Sequence, residues 1–168
     1  MVFSFNVIAD TGDVFRVILS SGEDAFFATP EICSLLNNEI EIVEIDLERV
    51  SGSAPTSLKT LTKISEGIAH CFEQNKKAVL YYFCDDLSEV PSIGDSKIGM
   101  WPQEYRSILF SRMFERYALN ASMEDSVTDV EVVIYEDTRP LYMHLIARTC
   151  HSRYIEALKA YITSRYSK

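Results

Sequence analysis

The chain has 168 residues, enough for one domain with its own core and no need of metals or disulfides. Hydrophobic residues make up 47% and charged residues 24%, with no repeat or low-complexity tract, which excludes disordered and fibrous classes. The net charge of −9 is uneven: residues 1–50 hold ten acidic and two basic groups, whereas residues 139–168 hold one acidic and six basic, so no Lys/Arg cluster suited to a nucleic-acid backbone is expected.

No stretch approaches the roughly 18 apolar residues of a membrane span. The opening MVFSFNVIAD lacks a basic, apolar leader pattern, so a cytoplasmic location is the default expectation.

VFSFNVIA alternates loosely and runs into Asp10-Thr11-Gly12-Asp13, four residues with turn chemistry. DVFRVILS reads as the returning strand of a hairpin, with Val14, Arg16, Ile18 and Ser20 on one face and Phe15, Val17 and Leu19 on the other. A short strand over residues 25–28 is expected next. Pro30 then opens a short helix that Asn37-Asn38 ends. Over residues 39–48 acidic and apolar residues alternate, and the phase changes between Ile42 and Val43, which predicts a β-bulge or a bent strand.

Residues 49–55 form a loop, and Thr56 or Ser57 caps the following helix. Leu58, Leu61, Ile64, Ile68, Cys71 and Phe72 recur at helical spacing and predict one buried face. AVLYYFC, residues 78–84, is a nearly continuous apolar run and predicts a central strand covered on both faces. Residues 85–103 are a long connection carrying the single tryptophan, Trp101, and a loop of that length marks function or motion. Pro102 starts a helix to about residue 119, apolar over a wide arc from Tyr105 to Tyr117, which implies contacts on two sides.

Residues 127–136 and 141–148 form a second hairpin about Asp137-Thr138-Arg139-Pro140. Ser152 caps the last helix, whose stripe is Tyr154, Ile155, Leu158, Tyr161, Ile162 and Tyr166. The expected class is α+β, one domain over residues 1–168: a mixed, mostly antiparallel sheet with helices packed on it, in the order β-β-(β)-α-β-α-β-α-β-β-α.

Cys33, Cys71, Cys84 and Cys150 are scattered, so neither a zinc site nor a disulfide framework is expected, and free, mostly buried thiols are. Cys84-Asp85-Asp86 sits at the end of the buried strand, where sites gather in open sheets, and its two carboxylates could hold a metal or act as a base. Solvated loop capping is the commoner use of such a pair. His70, His144 and His151 have no orienting partner visible in the sequence, which argues against a Cys–His nucleophile. The row Glu41, Glu44, Asp46 and Glu48 reads as the wet face of a strand, or as a general base beside an acyl carrier.

The element order resembles the core of the general-control-type N-acetyltransferase (GNAT) superfamily. Arg49-Val50-Ser51-Gly52-Ser53-Ala54 is similar to that family's pyrophosphate loop, Arg/Gln-x-x-Gly-x-Gly/Ala, between a strand and a helix. The resemblance implies that Arg49, Ser51, Gly52, Ser53 and Ala54 bind the pyrophosphate of acetyl-CoA or another acyl-CoA. Glycine would let backbone N–H groups approach phosphate, and the helix N-terminus would add positive potential. Pro55-Thr56 stand before the helix, where the family enters it directly.

Leu109-Phe110-Ser111-Arg112-Met113-Phe114 is similar to the family's Leu-Tyr-x-Lys-x-Gly-Phe, but Phe110 replaces the tyrosine that protonates the leaving thiolate and has no proton to give. The resemblance then requires another acid, Tyr105 one turn earlier or Tyr117. It also places Asp85 near the acyl group and residues 87–101 over the substrate. AVLYYFCDD and YRSILFSRMFERY resemble a group of small uncharacterised bacterial α+β proteins of about this length, which implies no activity.

Two functions follow as expectations. One is an acyl-CoA-binding protein of this fold, an N-acyltransferase or a catalytically degenerate relative. The alternative is a non-catalytic adaptor, inhibitor or immunity-type protein that turns its acidic surface to a basic protein partner. Neither involves nucleic acid or a membrane.

Overall fold

The computed structural model describes residues 2–21, 27, 29–36, 39–54, 56–84, 100–120, 127–136 and 138–166. Strands β1 (Val2–Ile8) and β2 (Val14–Ser20) pair antiparallel in an unbroken register from Val2 with Ser20 to Ile8 with Val14. Gly12, at φ 87°, makes the turn, where its N–H donates to the Ala9 carbonyl at 3.0 Å. There follow α1 (Pro30–Leu36), β3 (Glu41–Ser51), α2 (Leu58–Gln74), β4 (Ala78–Cys84), α3 (Pro102–Asn120), β5 (Val127–Glu136), β6 (Arg139–Arg148) and α4 (Ser152–Tyr166). A 3-10 turn, Thr149–His151, leads into α4.

The six strands form one sheet in the order β1-β2-β3-β4-β6-β5. Every neighbouring pair is antiparallel except β3 with β4. The class is therefore α+β with a mixed, mostly antiparallel sheet and four helices. The strand expected over residues 25–28 falls outside the described residues except for Phe27, a buried turn residue set edge-on against Tyr81 at 4.9 Å.

Two cores sandwich the sheet. On one side Ile32 of α1 and Tyr154, Ile155, Leu158 and Ile162 of α4 close over Val79, Tyr81, Met143 and Leu145. On the other, Ile64, Ile68 and Phe72 of α2 and Phe110 of α3 close over Val17, Val43, Leu80 and Ile146. This double cover corrects the expected bulge at Ile42/Val43. β3 and β4 run in unbroken register through Glu41, Ile42, Val43 and Glu44. Ile42 packs into the first core and Val43 into the second, so consecutive apolar residues suit a strand covered on both sides. The register shift lies at the far end, where Val14 pairs with Ser51 and Phe15 with Arg49.

Ser57 caps α2 by accepting the Thr60 N–H at 3.1 Å. Leu61, Ile64, Ile68 and Phe72 are buried as expected, but Leu58, in the first turn, is 62% exposed. The far end of α2 is capped by Arg148 of β6. Its guanidinium donates to the carbonyls of Phe72 at 2.6 Å and Asn75 at 3.0 Å and lies over the Phe72 ring at 4.1 Å. Of the four free thiols only Cys84 is buried, while Cys33 and Cys150 are exposed, which corrects the expectation of mostly buried cysteines. No helix among the described residues is long and apolar enough to cross a membrane.

Candidate functional site

The sheet opens at its one parallel pair. β3 and β4 stay together from Glu41 with Ala78 to Glu44 with Tyr81, and then their pairing stops although both strands continue. Beyond that point β3 follows β2 out to Ser51, while β4 follows β6 through Cys84, paired with Tyr142. A cleft of about 160 Å³ lies where they part. Ile45, Leu47 and Tyr82 line it from one face of the sheet, and Asp46 and Phe83 from the other. Neighbouring strand residues can both line a cavity only where the sheet itself is open. α2 supplies one wall through Leu61 and Ile64, and α3 the other through Arg106, Leu109 and Phe110. Arg49 and the buried Arg106 bring positive charge to the lining, and Glu44 and Asp46 bring negative charge.

The loop after β3 lies beside this cleft, and it is already occupied by a carboxylate of the same chain. Asp13 Oδ2 accepts from Arg49 Nη1 at 3.3 Å and from the Ala54 N–H at 3.0 Å. Arg49 also donates to the Ala54 carbonyl and to Thr56 Oγ1, each at 2.9 Å. Gly52 takes φ 89°, and a Cβ there would fall 2.0 Å from Asp13 Oδ1. The glycine is thus required by close approach of an anion, and that anion is internal. Ser51, Gly52 and Ser53 remain exposed, whereas the Arg49 and Asp13 side chains are almost wholly buried.

Of the other residues singled out by sequence, Asp85 and Asp86 lie outside the described residues, as do residues 87–99 of the connecting loop. Tyr105 is half-buried on α3 and is not part of the cleft lining. Tyr117 donates its hydroxyl to Glu73 at 2.7 Å; burial, then the Glu73 bond, pushes its pKa up to about 12. Phe110 does line the cleft, stacked on Tyr82 with ring centroids 4.4 Å apart. Tyr82 is the one hydroxyl-bearing side chain in the lining among the described residues.

A second cluster was not foreseen. His144, fully buried on β6, has Nε2 2.8 Å from Ser107 Oγ of α3 and Nδ1 3.0 Å from Asp129 of β5. Ser107 Oγ also donates to Glu131, so the imidazole lies between Ser107 on one ring nitrogen and Asp129 on the other. Serine, histidine and aspartate meet in the sequence of a nucleophile relay, but Ser107 is buried, its proton is committed to Glu131, and it lines none of the cavities described. The cluster pins α3, and with it Arg106 and Phe110 of the cleft wall, onto the β5–β6 hairpin. The turn expected over residues 137–140 would set Glu131 opposite Ile146; the strands instead pair Glu136 with Arg139, which brings Glu131 opposite His144, so this contact was not legible. Ser107, on a separate helix, gave no signal either.

No family model matches this chain, and no curated protein or solved structure matches it either.

Proposed function

We propose that the chain binds an acyl-thioester carrier of the acyl-CoA type in the cleft between β3 and β4, as an N-acyltransferase or a catalytically degenerate relative. The observation that carries this reading is the parting of the two parallel strands. From Ile45 to Arg49, β3 has no strand partner on the β4 side among the described residues, so backbone N–H and C=O groups face the cleft. An extended arm bearing amide groups, as pantetheine does, satisfies such an edge as an added strand would. The apolar lining from α2 and α3 suits its methylene and thioester portions. The sheet order, with its single parallel pair beside a strand-to-helix loop, supports the GNAT-like resemblance.

Under this reading the pyrophosphate sits at the exposed Ser51, Gly52 and Ser53, next to Arg49. Tyr82, stacked on Phe110, takes the proton-donor position that Phe110 cannot fill. Thermal unfolding with CoA and acetyl-CoA, on the wild-type chain and on Leu109→Trp, tests the site. A ligand at roughly one hundred times its Kd adds about 2.7 kcal/mol to the native state. Stabilisation of the wild type that Leu109→Trp abolishes supports the cleft. The absence of stabilisation at millimolar CoA removes the reading.

One observation favours the alternative, a protein-interaction role. The Asp13 carboxylate already satisfies Arg49 and Ala54, as befits a loop with a structural task. In that case the partly or fully exposed Glu44, Asp46 and Glu48 of β3 would meet a basic partner.

A further inference from the structure

We propose that β1 is a self-pairing edge and that two copies of this chain join through it, antiparallel, about a two-fold axis at Phe5. β1 ends the sheet, and no strand covers its outer side among the described residues. Exposed edges are ordinarily blunted by lysine, proline or a bulge. β1 reads VFSFNVI, with no charge and no proline, and pairs with β2 without a register shift. Val2 is 75% exposed, Phe3 44% and Ile8 64%. Lys63 bonds the Ile8 carbonyl at 3.3 Å and Asp10 at 3.5 Å, at the end of the strand rather than along it.

The occupant is indicated by the strand's own order. Read outward from Phe5, its residue classes are symmetric: Ser4 and Asn6 are polar, Phe3 and Val7 apolar, Val2 and Ile8 apolar. Antiparallel pairing about Phe5 therefore sets Val2 against Ile8, Phe3 against Val7 and Ser4 against Asn6 of the second copy. Each residue keeps its face of the sheet. An isologous contact needs such self-complementarity.

Charge narrows the choice further. At −9 overall, two copies repel over most approaches. The opposite edge, β5, carries Asp129, Glu131 and Glu136, so self-pairing there would bring carboxylates together. β1 is the edge where two copies meet without like charges. On the α2 side, Gly67 leaves room for Phe5: a Cβ at 67 would fall 2.3 Å from its ring. Phe5 can thus lie low at the centre of the joint.

The test is sedimentation equilibrium across about 1 to 100 µM chain, with circular dichroism to confirm folding. Val2 and Ile8 are exposed, so charges there leave the fold intact. The wild type approaches twice the 19.1 kDa chain mass. Val2→Glu with Ile8→Glu sets carboxylate against carboxylate at both ends and returns the single-chain mass. Val2→Lys with Ile8→Glu sets opposite charges across the joint and restores the doubled mass. A wild type that stays at the single-chain mass overturns the proposal. So does a dimer indifferent to the double glutamate variant, or one that the lysine–glutamate variant fails to restore.

Discussion

The Asp13 carboxylate occupies the space in which a side chain at residue 52 would begin: a Cβ on Gly52 falls 2.0 Å from Asp13 Oδ1. Gly52→Ala therefore carries two costs, a left-handed backbone at φ 89° and displacement of Asp13 from Arg49 and Ala54. The sum is about 2–4 kcal/mol. In an Asp13→Ala background only the backbone cost remains, about 1–2 kcal/mol. Urea unfolding of the two single variants and the double variant measures the coupling.

Arg148 joins β6 to the end of α2 through three backbone carbonyls, those of Phe72, Asn75 and Lys76. Its head is buried, so Arg148→Ala removes a charged donor from all three carbonyls, leaving those of Phe72 and Asn75 with one backbone N–H each, and costs about 2–4 kcal/mol in chemical denaturation. Arg148→Lys recovers little of this, because an ammonium cannot reproduce the fork that spans neighbouring carbonyls.

His144→Ala removes the fully buried ring that Asp129 and Ser107 share, leaving a cavity and unpaired polar atoms, at about 3–5 kcal/mol. Ser107→Ala removes one hydroxyl and costs about 1–2 kcal/mol. Equal losses in the two variants, measured by urea midpoint, would contradict the central place given to His144.

Tyr117 makes stability fall at alkaline pH. Burial and the Glu73 carboxylate favour its neutral phenol, so it ionises at about 12 in the fold and at 10.0 in the unfolded chain. Its contribution is complete below pH 10.0 and is lost as pH rises towards about 12. Tyr117→Phe removes this part of the alkaline loss, as read from unfolding followed by tyrosinate absorbance.

Much of the fold was legible because its elements carry local signals. Both hairpins, the Pro30 and Pro102 helix starts and the twice-covered AVLYYFC strand follow from turn residues and periodicity alone. Ile42/Val43 misled because a phase change has two physical causes, a bulge or a cover on both faces, and only the second core distinguishes them. The site was less legible. The Arg49–Ala54 loop was visible as a pattern, but Asp13, far back along the chain, was not. Its position depends on β2 pairing with β3. The parting of β3 from β4 is likewise a property of the assembled sheet, and no residue in either strand announces it.

An amide NMR titration of the folded chain with acetyl-CoA tests binding in the cleft most directly. If the carrier lies along the open edge of β3, the amides of Ile45 to Arg49, with Tyr82 and Phe83 across the cleft, shift together and saturate with one affinity. If those amides stay still at millimolar acetyl-CoA, or the shifts gather away from the cleft, the open edge of β3 is not an acyl-carrier site.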